Sequence, residues 1–333
     1  MWRFLIFLVV VGAVGLGLVY ADYQGTIDKP LQFSDSQRQF TIEPGWSSKR
    51  VGNELHKAGV LDKPHWFYAY ARISKKGVGI KSGEYNIAGN PTTPELIDQF
   101  VDGQTVQYTG KIIEGSTFKQ LRQRLAQNTQ LTQTIGDMSD TDIMDALGLG
   151  GQHPEGIFFS DTYQFPKNTT DLEFLKRSNQ MLQKVLDEEW ANRDPDIPLK
   201  TPYEALILAS IVEKETAAPE ERPLIAGVFM SRLKIKMRLQ TDPTVIYGMG
   251  DSYDGNIRRK DLTTDTPYNT YTRGGLPPTP ISMVGREAIK AVMHPEATTA
   301  LFFVARHDGS GTHKFSETVE EHNAAVRKYQ LKR

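Results

Sequence analysis

The chain opens on an unbroken apolar run, "FLIFLVVVGAVGLGLVYA" from Phe4 to Ala21, with no charge between Arg3 and Asp22. A segment of about 18 residues that is apolar on every face lies at the short end of what spans a bilayer. It predicts a signal anchor over residues 1–21 with the bulk of the chain exported, and Arg3 marks the inner side. Val19-Tyr20-Ala21 leaves a cleaved signal peptide as the other reading.

A polar connector, 22–36, gives way to shorter periods. "RQFTIEPGWSS" reads as a strand leading to a helix in "KRVGNELHKAGVL", where Val51, Leu55 and Ala58 share a face and Gly59 is the stop. "SGEYNIAGNPTTPELIDQFVDG" reads as strand, turn and helix, with Thr93 as cap, Pro94 at the first helical position and Leu96, Ile97 and Phe100 on one face. "VQYTGKIIEGSTFKQLRQRLAQN" repeats that plan, with a turn at Glu114-Gly115 and Ser116 or Thr117 as cap. Three such units between 38 and 128 predict a small α+β region over 37–130, similar to glycan-binding LysM-type modules and equally compatible with a structural spacer. A helical pattern over Asp137–Gly151 and the aromatic loop and strand "HPEGIFFSDTYQFP" come next. A long helix from Thr170 to Trp190 then carries Leu172, Leu175, Met181, Leu182, Val185 and Leu186 as its buried stripe. Residues 131–333 thus predict a second, mixed α+β domain, so the fold class is α+β behind an N-terminal membrane helix.

Composition changes this picture little. Lys+Arg (39) and Asp+Glu (40) nearly cancel and no block of five basic residues occurs, which argues against a nucleic-acid partner. The absence of cysteine removes disulfides, thiolate nucleophiles and Cys-type zinc sites. His294, His307, His313 and His322 lack metal-ligand spacing, so neither a metal nor a cofactor is predicted.

The chemistry concentrates in "TPYEALILASIVEKET". Thr201, Pro202 and Glu204 match a capping box. With Leu206 at zero, Glu204, Leu208, Ile211 and Val212 fall at about 160°, 200°, 140° and 240°, and Glu215 falls at about 180° among them. Glu213 falls at about 340°, so the two glutamates cannot act as a pair. A carboxylate held against apolar neighbours gains proton affinity and becomes a candidate general acid. Two readings of Glu215 stay open: that acid, or a charge reaching water from the last turn of its helix. Downstream, "RLQTDPTVIYGMG" (238–250) strings Gln240, Thr241, Asp242 and Tyr247 along a loop, and "TPYNTYTRGGLPPTPIS" (266–282) does the same with Tyr268, Asn269 and Tyr271. Amides and hydroxyls beside aromatic faces suit a groove for sugars.

"ASIVEKET", "MRLQTDPTVIYGMG", "YNTYTRGGLPP", "EGIFFSDTY" and "HKFSETVEEHN" resemble motifs of the endolytic murein transglycosylases of the MltG/YceG-like family, with order and spacing in agreement over nearly the whole chain. The resemblance implies cleavage of the β-1,4 bond between N-acetylmuramic acid and N-acetylglucosamine in nascent peptidoglycan, leaving 1,6-anhydro ends and terminating glycan growth. It implies Glu215 as catalyst on a lysozyme-like helix, with Thr216 shaping the site. Gln240, Asp242, Asn269 and Tyr271 are read as the residues that hold the sugar rings and acetamido groups, with Glu155 and Tyr163 as further substrate contacts. The resemblance also implies penicillin-binding synthases as partners and a periplasmic catalytic domain on the inner membrane. The chain departs from the family pattern at Thr279, where glycine is expected, and at Met283-Val284, where Asn-Pro is expected. A non-catalytic wall-binding scaffold and a hydrolytic muramidase are the competing functions.

Overall fold

A computed structural model describes residues 2–216 and 218–331. The chain forms two compact units, residues 1–108 with 164–168, and residues 109–163 with 169–333.

In the first unit, helix α1 (Trp2–Ile27) exposes apolar side chains on every face, from Phe4 at 65% to Leu16 at 73%. It continues six residues past the predicted span because its last turns have partners: Asp22 binds Lys63, accepts from Trp66 Nε1 at 3.0 Å, and Tyr23 meets the Trp66 ring edge-on at 5.3 Å. Strand β1 (Gln39–Ile42), helix α2 (Ser48–Lys57), helix α3 (Pro64–Ile73) and strand β2 (Gly83–Asn86) follow, then helix α4 (Thr93–Asp102). The strands pair antiparallel, Phe40 opposite Tyr85 and Ile42 opposite Gly83. Phe40, Val51, Leu55, Phe67, Tyr85, Leu96, Ile97 and Phe100 form their common core. Each such side chain stabilises the unit by about 1.5–3 kcal/mol on burial. Two details differ from the sequence expectation. Helix α3 was not among the predicted elements, although Pro64 at its first turn and the Phe67/Ala71 spacing mark it. Thr92, not Thr93, caps α4: its hydroxyl accepts from Glu95 N, and the Glu95 carboxylate returns to Thr92 N.

The chain enters the second unit within strand β3 (Gln107–Lys111), so the third predicted strand–turn–helix contributes its helix α5 (Phe118–Gln127), capped by Thr117, to that unit. Helix α6 (Asp140–Ala146), strand β4 (Thr162–Pro166), which pairs with β3, and helix α7 (Asp171–Ala191) follow. The buried stripe of α7 is Phe174, Leu175, Ser178, Asn179, Leu182, Val185 and Leu186. Leu172 and Met181 lie off it, Met181 being 37% exposed, because the packed face includes polar Ser178 and Asn179, which a count of apolar residues passes over.

Helix α8 (Pro202–Glu215) is the centre of this unit, packed by α7, α9 (Arg222–Lys234), α10 (Asp242–Met249) and α12 (Arg286–Met293). Every residue of α8 from Ala205 to Glu213 is buried. At Gly227 of α9 an added Cβ would stand 2.1 Å from the Glu296 carbonyl oxygen, so the backbones touch there. The stretch 238–250, expected as a loop, contains α10, because Pro243 fits a first helical turn and Gly250 ends it. Helix α11 (Arg259–Thr263), the antiparallel pair β5 (Phe302–Ala305) and β6 (His313–Ser316), and helix α13 (Val319–Tyr329) complete the unit.

Candidate active site

Thr201 starts α8 by accepting from Glu204 N at 3.1 Å, while the Glu204 carboxylate turns to Lys200 N at 2.5 Å, which opens the predicted capping box. The other end is laced to the 281–285 segment. Ile281 N donates to Ser210 Oγ at 2.9 Å, Ser282 Oγ to the Ser210 carbonyl at 3.2 Å, and Gly285 N to Glu213 Oε2 at 3.0 Å. Met283 and Val284, where the family pattern expects Asn-Pro, are wholly buried in this lacing. Thr279 is buried with its hydroxyl 2.8 Å from the Tyr268 hydroxyl.

The two glutamates separate, for a reason the helical wheel does not contain. Since α8 is buried on every side from Ala205 to Glu213, facing apolar neighbours does not distinguish them. Glu213 has a cation: Arg222 Nη2 lies 2.9 Å from Oε1. Burial pushes the Glu213 carboxyl up, against the pull of the Gly285 N–H and Arg222. Glu215 is half-buried in the last turn, and among the described residues no lysine, arginine or histidine ion-pairs with it. Its Oε1 accepts from the Thr241 hydroxyl. Burial pushes its pKa up to about 7, helped by the Asp242 charge and opposed by the Thr241 hydroxyl and Arg232. A carboxyl in this state is half protonated near neutrality, as a general acid requires.

A buried hydroxyl network stands behind Thr241. Its N–H donates to Thr270 Oγ1 at 3.1 Å, Thr244 Oγ1 donates to its carbonyl at 2.8 Å, and the hydroxyls of Thr244 and Thr270 are 2.9 Å apart. Gln240 is exposed in a left-handed backbone conformation (φ 48°), pinned by its N–H to the Thr270 carbonyl at 3.2 Å. Such a conformation costs on the order of 1 kcal/mol in a non-glycine residue. Asp242 is exposed and accepts from the Tyr271 hydroxyl at 2.6 Å; burial and Asp242 push that hydroxyl's pKa well up. Glu215, Thr241, Asp242 and Tyr271 therefore belong to one constellation, and Gln240 adjoins it as the residue before Thr241.

The remaining predicted contacts are placed otherwise. Thr216 is buried, and its hydroxyl accepts from Ala218 N at 2.9 Å, turning the chain out of α8. Asn269 is buried, and its amide donates to the carbonyls of Asp261, Leu262 and Thr264 while its oxygen accepts from Tyr271 N at 2.9 Å. It shapes the loop that carries Tyr271. Tyr163 lies in the core, its hydroxyl donating to the Phe159 carbonyl at 2.8 Å and its ring edge-on to Phe174. Glu155 is buried beside a groove of about 770 Å³ that Lys214, Pro243, Tyr247 and Ile281 also line. Its Oε1 accepts from Phe118 N at 2.9 Å, and burial pushes it up to about 7 against the pull of that N–H and the Tyr247 hydroxyl.

Thr241 was named in the sequence without a role, and Arg222 and Arg232 carry no local signal, since arginines at helix ends usually reach solvent. Three of the four histidines have structural partners: His294 with Asp194 at 2.9 Å, His313 with Glu221 at 2.7 Å, and His322 stacked on Phe302.

A mixed α+β fold behind an apolar N-terminal helix defines the class, and at the end of its central helix stands Glu215, with no ion-pair partner among the described residues. The sequence profile of the YceG-like family matches residues 40–328, and the chain belongs to that family. An endolytic murein transglycosylase of Bacillus subtilis (strain 168) is 31% identical over 310 residues, 86% of this chain and 83% of that protein. One from Streptococcus pneumoniae (strain ATCC BAA-255 / R6) is 28% identical over 348 residues, 91% of this chain and 60% of that protein. The 2.6 Å crystal structure of a yceG-like protein from Listeria monocytogenes aligns with TM-score 0.55 and 28% identity over 86% of this chain and 98% of that one.

Proposed function

We propose that this chain is an endolytic lytic transglycosylase that cleaves the β-1,4 bond between N-acetylmuramic acid and N-acetylglucosamine in nascent peptidoglycan. The observation that carries the proposal is Glu215: a carboxyl near half-protonation at neutral pH, held by a hydroxyl and not by a cation. Protonated Glu215 gives its proton to the leaving O4 as the C1–O4 bond breaks. The resulting carboxylate takes the proton from the C6 hydroxyl as that oxygen bonds to C1, closing the 1,6-anhydro ring and restoring the acid. No water is consumed, so the second carboxylate that a hydrolase uses to attack the sugar or activate water is not needed. Thr241 orients the carboxyl. Gln240, Asp242 and Tyr271 face the sugars, Glu155 acts from the groove wall, and Thr216 and Asn269 hold the loops.

The same proposal assigns α8 the role of a lysozyme-like active-site helix and the β1-α2-α3-β2 unit that of a LysM-like module. The catalytic region, expected from residue 131 onward, also draws on Phe118 and on Glu114, which lies 3.7 Å from Arg222. With α1 as a single-pass anchor, the catalytic unit faces the periplasm, where strands leave a synthase of the penicillin-binding class. The test is mass spectrometry of glycan strands digested by wild type and Glu215→Gln. Wild type yields anhydro-ended fragments, with a rate that falls as pH rises past about 7. Glu215→Gln is expected to lose roughly 10²–10⁴-fold in rate. Reducing ends would make the enzyme a hydrolytic muramidase, and no cleavage by wild type would make it a scaffold.

A further inference from the structure

Arg232 near the end of α9 is 6% exposed, and no carboxylate is in ion-pair contact with it among the described residues. Its Nε donates to the Leu301 carbonyl at 2.6 Å, and its Nη1 donates to the Leu239 carbonyl at 2.5 Å and, more weakly, to the Arg238 carbonyl at 3.4 Å. The guanidinium carbon lies 5.3 Å from the centre of the Phe302 ring, on which His322 stacks at 5.2 Å. A guanidinium withdrawn from water without a counter-ion is destabilising, and uncharged side chains could hold these carbonyls at less cost. The charge therefore calls for a role. Leu239 comes two residues before Thr241, whose hydroxyl holds Glu215, and Tyr271 and Glu215 are the acidic groups whose fields act on Arg232.

We propose that Arg232 is a positioning residue for Glu215: it anchors the 238–241 backbone that aims Thr241 at the carboxyl, and its charge stabilises the carboxylate left once the proton has gone. The inference rests on Glu215 as proton donor. Glu215 is faced by the Thr241 hydroxyl and Asp242 carboxylate at the start of α10, by the Tyr271 phenol from the 264–280 loop and by Arg232 from α9. Arg232 is faced in addition by His322 from α13. Asp242 works against ionisation of Glu215 and Arg232 works for it. Removing the positive charge keeps the carboxyl protonated to higher pH, so the activity that depends on the acid persists to higher pH.

The experiment is the pH profile of kcat/KM between about pH 5 and 9 for the full chain in detergent, on uncrosslinked glycan strands, with Arg232→Gln and Arg232→Lys beside wild type. Arg232→Gln is expected to move the basic limb upward by roughly half a pH unit or more. Arg232→Lys keeps the charge but cannot hold two separated carbonyls, so its kcat falls while its limb stays with wild type. A Gln limb coincident with wild type, or a Lys limb displaced as far as the Gln limb, would overturn the proposal. If Arg232→Gln does not fold, Arg232→Lys decides: a coincident limb supports the charge role and a displaced limb refutes it. Retained activity in Glu215→Gln would instead overturn the assignment of the acid itself, a separate result.

Discussion

Substituting Arg222 by Met should destabilise the second unit through Glu213, two residues from the proposed acid Glu215. The pair is 2.9 Å apart with side chains 11% and 2% exposed, and truncating the arginine leaves a buried carboxylate with the Gly285 N–H as its remaining hydrogen-bond donor. Breaking a buried pair in this way costs about 3–5 kcal/mol. For a unit of this size each 1 kcal/mol shifts the midpoint by about 2–4 °C, which predicts a fall of roughly 6–20 °C near neutral pH. The deficit depends on pH. Without Arg222 the folded-state pKa of Glu213 rises further above its ordinary value of 4.5. A carboxyl whose folded pKa is raised loses stability as pH climbs from the unfolded value through the folded one. The variant is therefore closest to wild type below about pH 4.5 and furthest from it above neutrality. Thermal unfolding of detergent-solubilised chain, followed by circular dichroism across that range, measures both. A fall under about 2 °C at neutral pH, or a deficit unchanged across pH, would refute the view that Arg222 neutralises a buried Glu213.

Glu155→Gln keeps a partner for Phe118 N while removing the acidic proton, so it is expected to raise KM several-fold and leave kcat within about threefold; steady-state kinetics check this, and loss of kcat equal to that of Glu215→Gln would place Glu155 in the chemistry itself. Gly227→Ala puts a methyl group 2.1 Å from the Glu296 carbonyl oxygen, backbone against backbone, and should destabilise by about 1–3 kcal/mol in urea unfolding. An unchanged unfolding midpoint would show that α9 and the 295–298 segment separate more freely than their contact suggests.

Much of the architecture was legible because local chemistry set it. Thr201 caps the helix it was expected to cap, and of the two candidates Ser116 and Thr117 it is Thr117 that caps α5, each by accepting from the N–H three residues on. Helix α7 was read with the right span but with Leu172 and Met181 in a face that Ser178 and Asn179 occupy, since tertiary packing accepts a polar residue whose hydrogen bonds are met. Ser178 donates to the Leu175 carbonyl at 2.8 Å and Asn179 to the Ile157 carbonyl at 2.8 Å. Helix α10 was read as a loop because eight residues opening with Asp-Pro carry too little periodicity to outweigh their polar content. The wheel reached Glu215 on a premise that the structure replaces, for residues 205–213 of α8 are buried on every side and define no single apolar stripe.

What the sequence determined by itself is what neighbours along the chain can determine: the apolar N-terminal helix, most capped helices, and a glutamate at the end of a helix too apolar for the surface. What the tertiary structure decided is which glutamate is given a cation for a partner and which a hydroxyl. Glu213 meets Arg222 from α9 and the Gly285 N–H at the start of α12, 9 and 72 residues away, whereas Glu215 meets a threonine hydroxyl 26 residues away. Proton affinity is set by the charges and donors within a few ångströms, and in this protein those come from segments that only the fold brings together.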